Sequence, residues 1–443
     1  MATTLDLPHA IRIGGQASKR GLIPRMPAGE RLLADIAAWL AGEYPDHVRI
    51  VRQRSVGEGA AELRIALHPA APEVAIAASD TGSVTVAAET AAAGPGYHRF
   101  VGRVLQRLGT EQGIVWEMAG IDDFAFAERA VVERAYLGWL GPILAQARSA
   151  RRRGTSGVHL GTPFGTRYTF AGAIATALGP RDDAWLERAI ADPRVAIEIT
   201  PWWSDATDSA FHLNRALALL WLDVRWRKPT IDGEAETLDE VHRLLSHAYP
   251  LDPDLAYPWR AWAEVIELRA IDDGMSRQVL DRAKAIGAAS GGAGGSGGAG
   301  GSAAASIGAA AAIGYRREPV TIEHEGWMLT IPGDFAERRL DEEWWGGGAG
   351  RSVTLAATST GAMSPGAFLA QVAGDLGPEA LTHEDGDLRG RARITSDASS
   401  GLEVGVLDGF SAVTGSGAAI RIVFDDPADW QWALDLWRSL TLA

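Results

Sequence analysis

Cysteine is absent from the 443 residues of the chain. Its absence excludes disulfide bonds, thiolate metal sites and a cysteine nucleophile. Lysine is nearly absent as well, because the sequence contains only Lys19, Lys228 and Lys284, and arginine supplies the other basic residues. Any chemistry that depends on a thiol is therefore excluded from the start.

Long apolar runs are also missing. No stretch approaches the roughly 20 apolar residues that a membrane-spanning helix needs. The N-terminal stretch MATTLDLPHAIRIGGQASKRG has no apolar segment behind a basic start, which a secretory signal would require. These absences predict a cytoplasmic protein without stable membrane insertion.

Positive charge is scarce, and the deficit is uneven along the chain. The formal net charge is -14. Residues 315–443 contain 20 acidic and 10 basic residues, a net charge of -10, which leaves -4 for residues 1–314. Because a phosphate backbone is repelled by a negatively charged protein, we expect no nucleic-acid partner. We expect instead a protein partner with a basic or apolar surface.

The stretch from Ser290 to Ser302 offers almost nothing that could pack in a core. Eight of its 13 residues are glycine, three are serine and two are alanine. Glycine loses the most conformational entropy on ordering and has no side chain to bury, and segments of this composition behave as flexible coils. The sequence therefore predicts a flexible linker over residues 287–314. The regular repeat is also typical of engineered linkers, so both origins stay open.

The patterns on either side of this linker predict a multidomain α+β protein. Residues 1–29 are rich in glycine and proline and predict an N-terminal arm. Short alternating segments such as AELRIALHP and GSVTVAAET predict an α+β domain over residues 30–120. Long amphipathic segments predict a helical domain over residues 121–286. Residues 315–443 alternate again and end in an amphipathic helix, which predicts an α+β domain with an antiparallel sheet.

The last 129 residues resemble a known family in the order of their elements and in a few residues, namely Ile331-Pro332, Asp334, Asp426-Pro427 and Trp437. A central helix opened by Ser-Pro and a Trp-rich closing helix complete the pattern. This order resembles the Mog1/PsbP-like group, whose DcrB-like members include chaperone-adaptors for bacterial type VI secretion effectors. The resemblance implies a protein-binding domain, and it supplies no active-site residue because the group shares no catalytic motif.

Asp205, Asp208 and His212 are the candidate metal ligands of the sequence. Helix positions i, i+3 and i+7 share one face, and carboxylate and imidazole groups bind metals or transfer protons. The competing interpretation is helix capping, with Asp205 as the N-cap and Asp208 at the third helical position. Capping is the stronger interpretation, so we expect no metal site.

Gly94 and Gly96 lie between a predicted strand and a predicted helix in the stretch AAGPGYHRFVGRV. Backbone N–H groups at such a helix start can cradle a phosphate, and His98 and Arg99 could assist. The stretch lacks the third spaced glycine of a dinucleotide fingerprint and the Lys-Ser/Thr of a P-loop. We therefore favour a simple turn and helix entry, and we expect no cofactor.

Trp344 and Trp345 stand beside the glycine run GGGAG, where we expect a flexible loop. Two tryptophans in such a place are candidate anchors for a protein partner.

Taken with the resemblance, these features favour a protein-binding protein with a chaperone, adaptor or immunity-type role. We expect no catalytic residue, because no nucleophile elbow, zinc-protease or EF-hand pattern occurs. The alternative is an enzyme whose site lies between the first two domains, around Asp205, Asp208, His212 and His98.

Overall fold

The computed structural model describes most of the chain, over residues 10–17, 28–55, 60–117, 129–155, 157–162, 165–168, 170, 172–291, 312–340, 343–377, 379–397 and 403–443. Helices and mainly antiparallel sheets are combined, so the predicted multidomain α+β fold is confirmed. None of the helices in these ranges is long and apolar enough to cross a membrane.

The chain divides into two compact units that do not follow the predicted domain boundaries. The first unit consists of Met1–Phe164, Phe170–Val224 and Thr237–Gly314. The second consists of Gly165–Thr169, Arg225–Glu236 and Tyr315–Ala443. The second unit thus takes two segments from the stretch that the sequence assigned to the helical domain.

Six strands of the first unit form one antiparallel sheet in the order β2-β3-β4-β5-β1-β6. Their bounds are β1 Ala10–Ala17, β2 Arg49–Ser55, β3 Ala60–Ala66, β4 Val74–Ser79, β5 Ser83–Glu89 and β6 Ile114–Glu117. Strand β3 alternates buried and half-buried residues along its whole length, as expected for a sheet with one covered face.

Residues Ala10–Ala17 of the predicted N-terminal arm form strand β1, so the prediction of an arm is wrong there. Strand β1 pairs with both β5 and β6, and its Ile11 and Ile13 side chains are buried. Gly14 and Gly15 of the predicted arm are part of the sheet, and residues 1–9 and 18–27 of the arm lie outside the described residues. A Cβ atom on Gly15 would lie 2.8 Å from side-chain atoms of Ile114 and Trp116 on β6. Glycine therefore permits close approach of these strands.

The helices that follow and flank this sheet have the bounds α1 Ala28–Glu43, α2 Pro95–Gln112, α3 Arg129–Arg152, α4 Asp183–Ala191, α5 Ser209–Leu222, α6 Asp232–Leu251, α7 Trp259–Arg269 and α8 Gly274–Gly291. Residues i, i+3 and i+7 of α1 are Leu33, Ile36 and Leu40, and all three are buried in the core of the sheet. Helix α3 continues across Pro142. Strands β7 His159–Leu160 and β9 Ala175–Thr176 form a short parallel pair.

The second unit is built on a seven-stranded antiparallel sheet in the order β12-β13-β14-β18-β17-β16-β15. These strands are β12 Ala336–Leu340, β13 Glu343–Gly348, β14 Arg351–Ser359, β15 Leu381–Asp385, β16 Leu388–Asp397, β17 Val404–Val413 and β18 Ser416–Phe424. A smaller sheet has the order β19-β11-β10-β8. Its strands are β8 Thr166–Tyr168, β10 Val320–His324, β11 Trp327–Ile331 and β19 Thr441–Leu442.

Two helices, α9 Pro365–Val372 and α10 Trp430–Arg438, pack on opposite faces of the seven-stranded sheet. A Cβ on Gly409 of β17 would lie 2.7 Å from Trp437 of α10. Ala412, on the same strand, packs instead with Phe368 of α9. Because side chains three positions apart on a strand point to opposite sides, the sheet has an α9 face and an α10 face.

The predicted linker lies mostly outside the described ranges. Helix α8 extends to Gly291, so residues 287–291 are helical rather than the start of the linker. Residues 292–311 lie outside the described residues, and the linker prediction is untested over them.

Candidate functional site

Asp205 lies four residues before α5, so it does not share a helical face with Asp208 and His212. Arg99 Nη1 is 2.7 Å from Asp205 Oδ2, and Arg103 donates a short hydrogen bond to the same oxygen. Burial raises the pKa of Asp205, but the two arginines of α2 outweigh burial and bring this pKa below its usual value. The carboxylate is thus engaged by α2.

Asp208, rather than Asp205, is the N-cap of α5. Its Oδ1 accepts a hydrogen bond of 3.0 Å from the backbone N–H of Phe211. The predicted cap position is therefore wrong by three residues, because the arginines of α2 bind the Asp205 carboxylate. A carboxylate at this position satisfies one of the N–H groups that the first helical turn leaves unbonded.

His212 contacts His247 instead of the two aspartates, with ring centroids 4.4 Å apart. Burial lowers the pKa of His212 to about 4, and His247 and Arg243 add to this effect. Across the residues that the structure describes, no group of three or more His, Asp or Glu side chains could hold a metal ion. The structure does not bring the three candidate ligands together.

Gly94 and Gly96 pack against the chain segment that precedes α5. A Cβ on Gly94 would lie 2.2 Å from Thr200, and one on Gly96 would lie 2.2 Å from the Ser204 carbonyl oxygen. The Gly96 N–H donates to the carbonyl oxygen of Trp202 at 3.0 Å. The backbone of this segment occupies the place that a phosphate would need, so the favoured interpretation of a helix entry fits the geometry.

His98 is buried in α2. Its Nδ1 is 2.8 Å from Thr90 Oγ1. A cavity of about 10 Å³ is lined by His98, Thr90, Gly94, Tyr136 and neighbouring apolar residues. That volume suits at most one water molecule. The lining of this cavity includes neither Asp205 nor Asp208 nor His212.

A group of buried and half-buried rings surrounds Trp202, and we call Trp202, His47, His68, Tyr97 and Phe211 the Trp202 cluster. The Trp202 ring centroid lies 4.4 Å from that of Phe211, 5.8 Å from His47, and 5.9 Å from both His68 and Tyr97. No sequence pattern singles out the two histidines. His47 lies just before β2 and His68 just after β3.

The histidines of the Trp202 cluster are held neutral. Burial and then Arg215 lower the pKa of His47 to about 4 and bring that of His68 well below its usual range. Because His68 Nδ1 accepts a hydrogen bond from the Ala70 N–H at 3.1 Å, neutral His68 carries its proton on Nε2. Burial raises the pKa of the Tyr97 phenol. Within the described ranges, His68 Nε2 and Tyr97 Oη have no hydrogen-bond partner.

A groove of about 440 Å³ in the second unit is lined by arginines and a tryptophan. Trp226 has a left-handed backbone with a φ of 56°, and the Arg317 guanidinium lies 3.7 Å from its ring centroid. Two further lining residues, Arg225 and Arg316, bind Glu337. The basic groups of the groove therefore stabilise the unit itself.

Glu337 and Trp344 form the buried polar centre of the second unit. The Glu337 carboxylate lies 2.7 Å from Arg316 and 3.3 Å from Arg225, and it accepts a hydrogen bond of 3.2 Å from Trp344 Nε1. Burial opposes ionisation, but the two arginines outweigh it and lower the pKa of Glu337. We call these four residues the Glu337 network.

Trp344 and Trp345 have different environments, which corrects their joint assignment as anchors. They are consecutive residues of β13, so their side chains point to opposite faces. Trp344 is only 1% exposed, and its ring belongs to the core. Trp345 is partly exposed, with the Arg338 guanidinium 5.7 Å from its ring centroid. Of the two predicted anchors, Trp345 alone remains available to a partner.

Comparisons with known proteins do not assign the chain to a family. No family model matches it, and no curated protein matches it. A solved structure from Bacteroides thetaiotaomicron VPI-5482 is similar over 27% of this chain and 45% of that chain, with 9% sequence identity and a TM-score of 0.24. A TM-score this low carries no conclusion about fold or function.

Proposed function

We propose that the chain is a cytoplasmic protein-binding protein with a chaperone, adaptor or immunity-type role, and that its second unit carries the binding surface. The observation on which this proposal depends is the partly exposed Trp345 on the α9 face of the seven-stranded sheet. The resemblance of residues 315–443 to the Mog1/PsbP-like group points in the same direction. It remains part of the proposal.

The position of Trp345 suits an interface anchor. Tryptophan combines a large apolar ring with one N–H donor, and it is enriched among the residues that dominate binding energies. The ring lies on a strand, and Thr354 stands directly opposite it on β14. A side chain held by a sheet loses little conformational freedom when a partner binds, which favours affinity.

The enzyme alternative has no specific support. Asp205 and Asp208 are engaged by α2 and by the start of α5, His98 lies beside Thr90, and His212 faces His247. The binding proposal therefore stands as the function that the described geometry supports best.

The test is capture of partners by the tagged full chain from its native host, followed by mass spectrometry. Three baits are compared: the natural chain, Trp345→Ala, and the control Trp430→Ala. Trp430 is 49% exposed on α10 and tests whether loss of any surface tryptophan reduces capture. We expect Trp345→Ala to lose specific partners by about tenfold or more, while Trp430→Ala retains them.

Thermal unfolding of each bait checks that the fold is intact. If both variants capture the same proteins as the natural chain, or if both lose them equally, the assignment of binding to the α9 face is wrong.

A further inference from the structure

The strand register places Trp345 in a row of side chains that crosses the α9 face. Residues directly opposite one another on neighbouring strands share a face. The row, which we call the Trp345 row, follows from the pairings of β12, β13, β14, β18, β17 and β16 and consists of Arg338, Trp345, Thr354, Arg421, Asp408 and Arg393. Asp408 lies an even number of positions from Ala412, which packs with α9, so the whole row belongs to the α9 face.

The Trp345 row is positively charged although residues 315–443 have a net charge of -10. It contains three arginines and one aspartate. Arg338, Arg393 and Arg421 are all exposed to solvent. The side chain of Arg421 is 56% exposed, and its nearest contact with the Asp408 carboxylate is a long one of 3.8 Å. The arginine charge of the row is thus directed outward rather than used in a buried pair.

Neighbouring positions continue the positive character beside the row. Arg391 stands opposite Phe410, two residues from Asp408 on β17, and so lies on the same face. The acidic residues of this face, Glu343, Glu384 and Asp397, belong to flanking rows or strand ends. Glu384 is already 3.6 Å from Arg389. The centre of the α9 face is therefore basic, and the acidic excess of the unit lies elsewhere.

We infer that the Trp345 row binds an extended acidic segment of a partner protein. This inference rests on the proposed function and reverses the charge that the sequence alone suggested for the partner. Charge complementarity selects the occupant, because outward guanidinium groups pair with carboxylates in bidentate geometry. The large acidic excess of the unit disfavours a longer polyanion such as a nucleic acid.

The spacing of the row defines the acidic pattern. Strands in a sheet are about 4.8 Å apart. Arg338 and Arg421 are separated by three strand steps, about 14 Å, and Arg421 and Arg393 by two steps, about 10 Å. An extended peptide rises about 3.3 Å per residue. Because side chains of an extended peptide alternate between its two sides, acidic residues at positions i, i+4 and i+8, about 13 Å apart in each step, would meet the three arginines from one side, with an apolar residue at i+2 over Trp345.

The test measures fluorescence polarisation of labelled peptides with the full-length chain. The probe is an uncapped twelve-residue peptide that carries glutamates at this spacing and one leucine two positions after the first glutamate. A matched peptide has lysine in place of each glutamate, and a thymine oligonucleotide of twenty nucleotides is the third probe. We expect the glutamate peptide to bind, the lysine peptide not to bind, and added salt to weaken binding because exposed charges are screened.

Four variants locate the binding. Arg421→Glu and Arg393→Glu should each weaken the glutamate peptide about fivefold or more, as expected for reversal of one exposed charge. Asp408→Asn removes the one negative charge of the row and should strengthen binding about twofold, a gain that damage to the fold would not produce. Arg438→Glu on α10 is the control and should leave binding unchanged.

The inference is wrong if the lysine peptide binds as well as the glutamate peptide, or if Arg421→Glu weakens binding no more than Arg438→Glu does. Binding of the oligonucleotide with the same dependence on Arg421 would identify a nucleic-acid surface instead and would also overturn it. This failure can be told apart from a failure of the proposed function. If partners captured from the host depend on Trp345 but not on Arg421, the proposed protein binding stands and only the acidic partner is rejected.

Discussion

The Trp202 cluster of the first unit buries neutral groups, whereas the Glu337 network of the second unit buries paired charges. In the first, burial itself keeps His47 and His68 unprotonated, and Tyr97 Oη has no hydrogen-bond partner within the described residues. In the second, Glu337 is ionised because Arg316 and Arg225 lie beside it. Both regions hold polar groups in largely buried surroundings, but one keeps them neutral and the other keeps them charged.

This difference predicts which perturbation affects which unit. A buried ion pair is costly to break from one side, because the remaining charges lose their partner. The stability of a unit with a cluster of neutral rings depends instead on how well the rings pack and falls when a ring is protonated. Three experiments separate these sensitivities.

The largest effect is expected for Glu337→Gln. The substitution removes the carboxylate charge and leaves Arg316, which is only 4% exposed, without its closest anion. We expect the free energy of unfolding of the second unit to fall by about 3 kcal/mol. Hydrogen exchange measured by mass spectrometry reports each unit separately. The exposed Glu343→Gln on β13 is the control and should change stability by less than about 0.5 kcal/mol.

Equal acceleration of exchange in both units would contradict this prediction, because the network lies within the second unit.

A smaller effect is expected for Gly96→Ala in the first unit. The new Cβ would lie 2.2 Å from the Ser204 carbonyl oxygen and 2.9 Å from that of Trp202. The segment that carries Trp202 must shift, which we expect to cost about 2 kcal/mol. Gly138→Ala in α3 is the matched control, because a Cβ there meets nothing within 4 Å. It should stabilise the helix slightly. Thermal unfolding measures the stability of both variants. Equal unfolding temperatures for Gly96→Ala and Gly138→Ala would refute the packing role of Gly96.

The smallest effect is expected from protonation of His47. The pKa of His47 is about 4 in the folded chain against 6.5 for the ordinary group. Burial is the main cause of this lowering, Arg215, His212 and Arg243 contribute to it, and Asp46 opposes it. A histidine with a lowered pKa gives its full stabilisation above pH 6.5, and this stabilisation is lost as pH falls toward 4. Protonation of His47 alone should therefore cost the first unit about 1 kcal/mol between pH 6.5 and 5.5, and the lowered pKa values of His68 and His212 add to the loss.

Glu337 titrates lower, since its pKa lies below its ordinary value of 4.5. Its contribution is present above pH 4.5 and is lost only as pH falls through the lowered value. Hydrogen exchange at pH 6.5 and 5.5, corrected for intrinsic rates, should therefore change in the first unit alone. His47→Phe, which keeps a ring between Phe100 and Phe211, should reduce the pH dependence. An unchanged slope in that variant would disprove the role of His47.

The mixed α+β character of the fold could be predicted from alternation and helical periodicity, but two parts could not. Strand β1 carries the alternating Ile11 and Ile13, yet Gly14 and Gly15 suggested a loop, because glycine in a strand has no local signal for close approach of a neighbour. Strand β8 has three residues and exists only through its pairing with β10, about 150 positions later. Such long-range pairing leaves no trace in local composition.

The two tryptophans of β13 show why the candidate site was only half predictable. The glycine run after them favoured a loop, and in a loop both rings could be exposed. As a strand, the same stretch must place consecutive side chains on opposite faces. A Cβ on Gly346 would lie 2.3 Å from the Trp344 ring, so the glycine gives that ring its room. The Trp345 row depends on register across six strands, which the sequence alone does not specify.

The interleaving of the two units along the chain has a consequence for any break in the polypeptide after α8. The second unit takes β8 and residues 225–236 from the part of the chain that precedes such a break. Strand β10 pairs with β8, and Arg227 donates to the Asp334 carbonyl oxygen at 2.7 Å. A single cut within residues 292–311 would therefore convert the molecule into a noncovalent complex of two fragments. Neither fragment alone contains all the strands of the second unit.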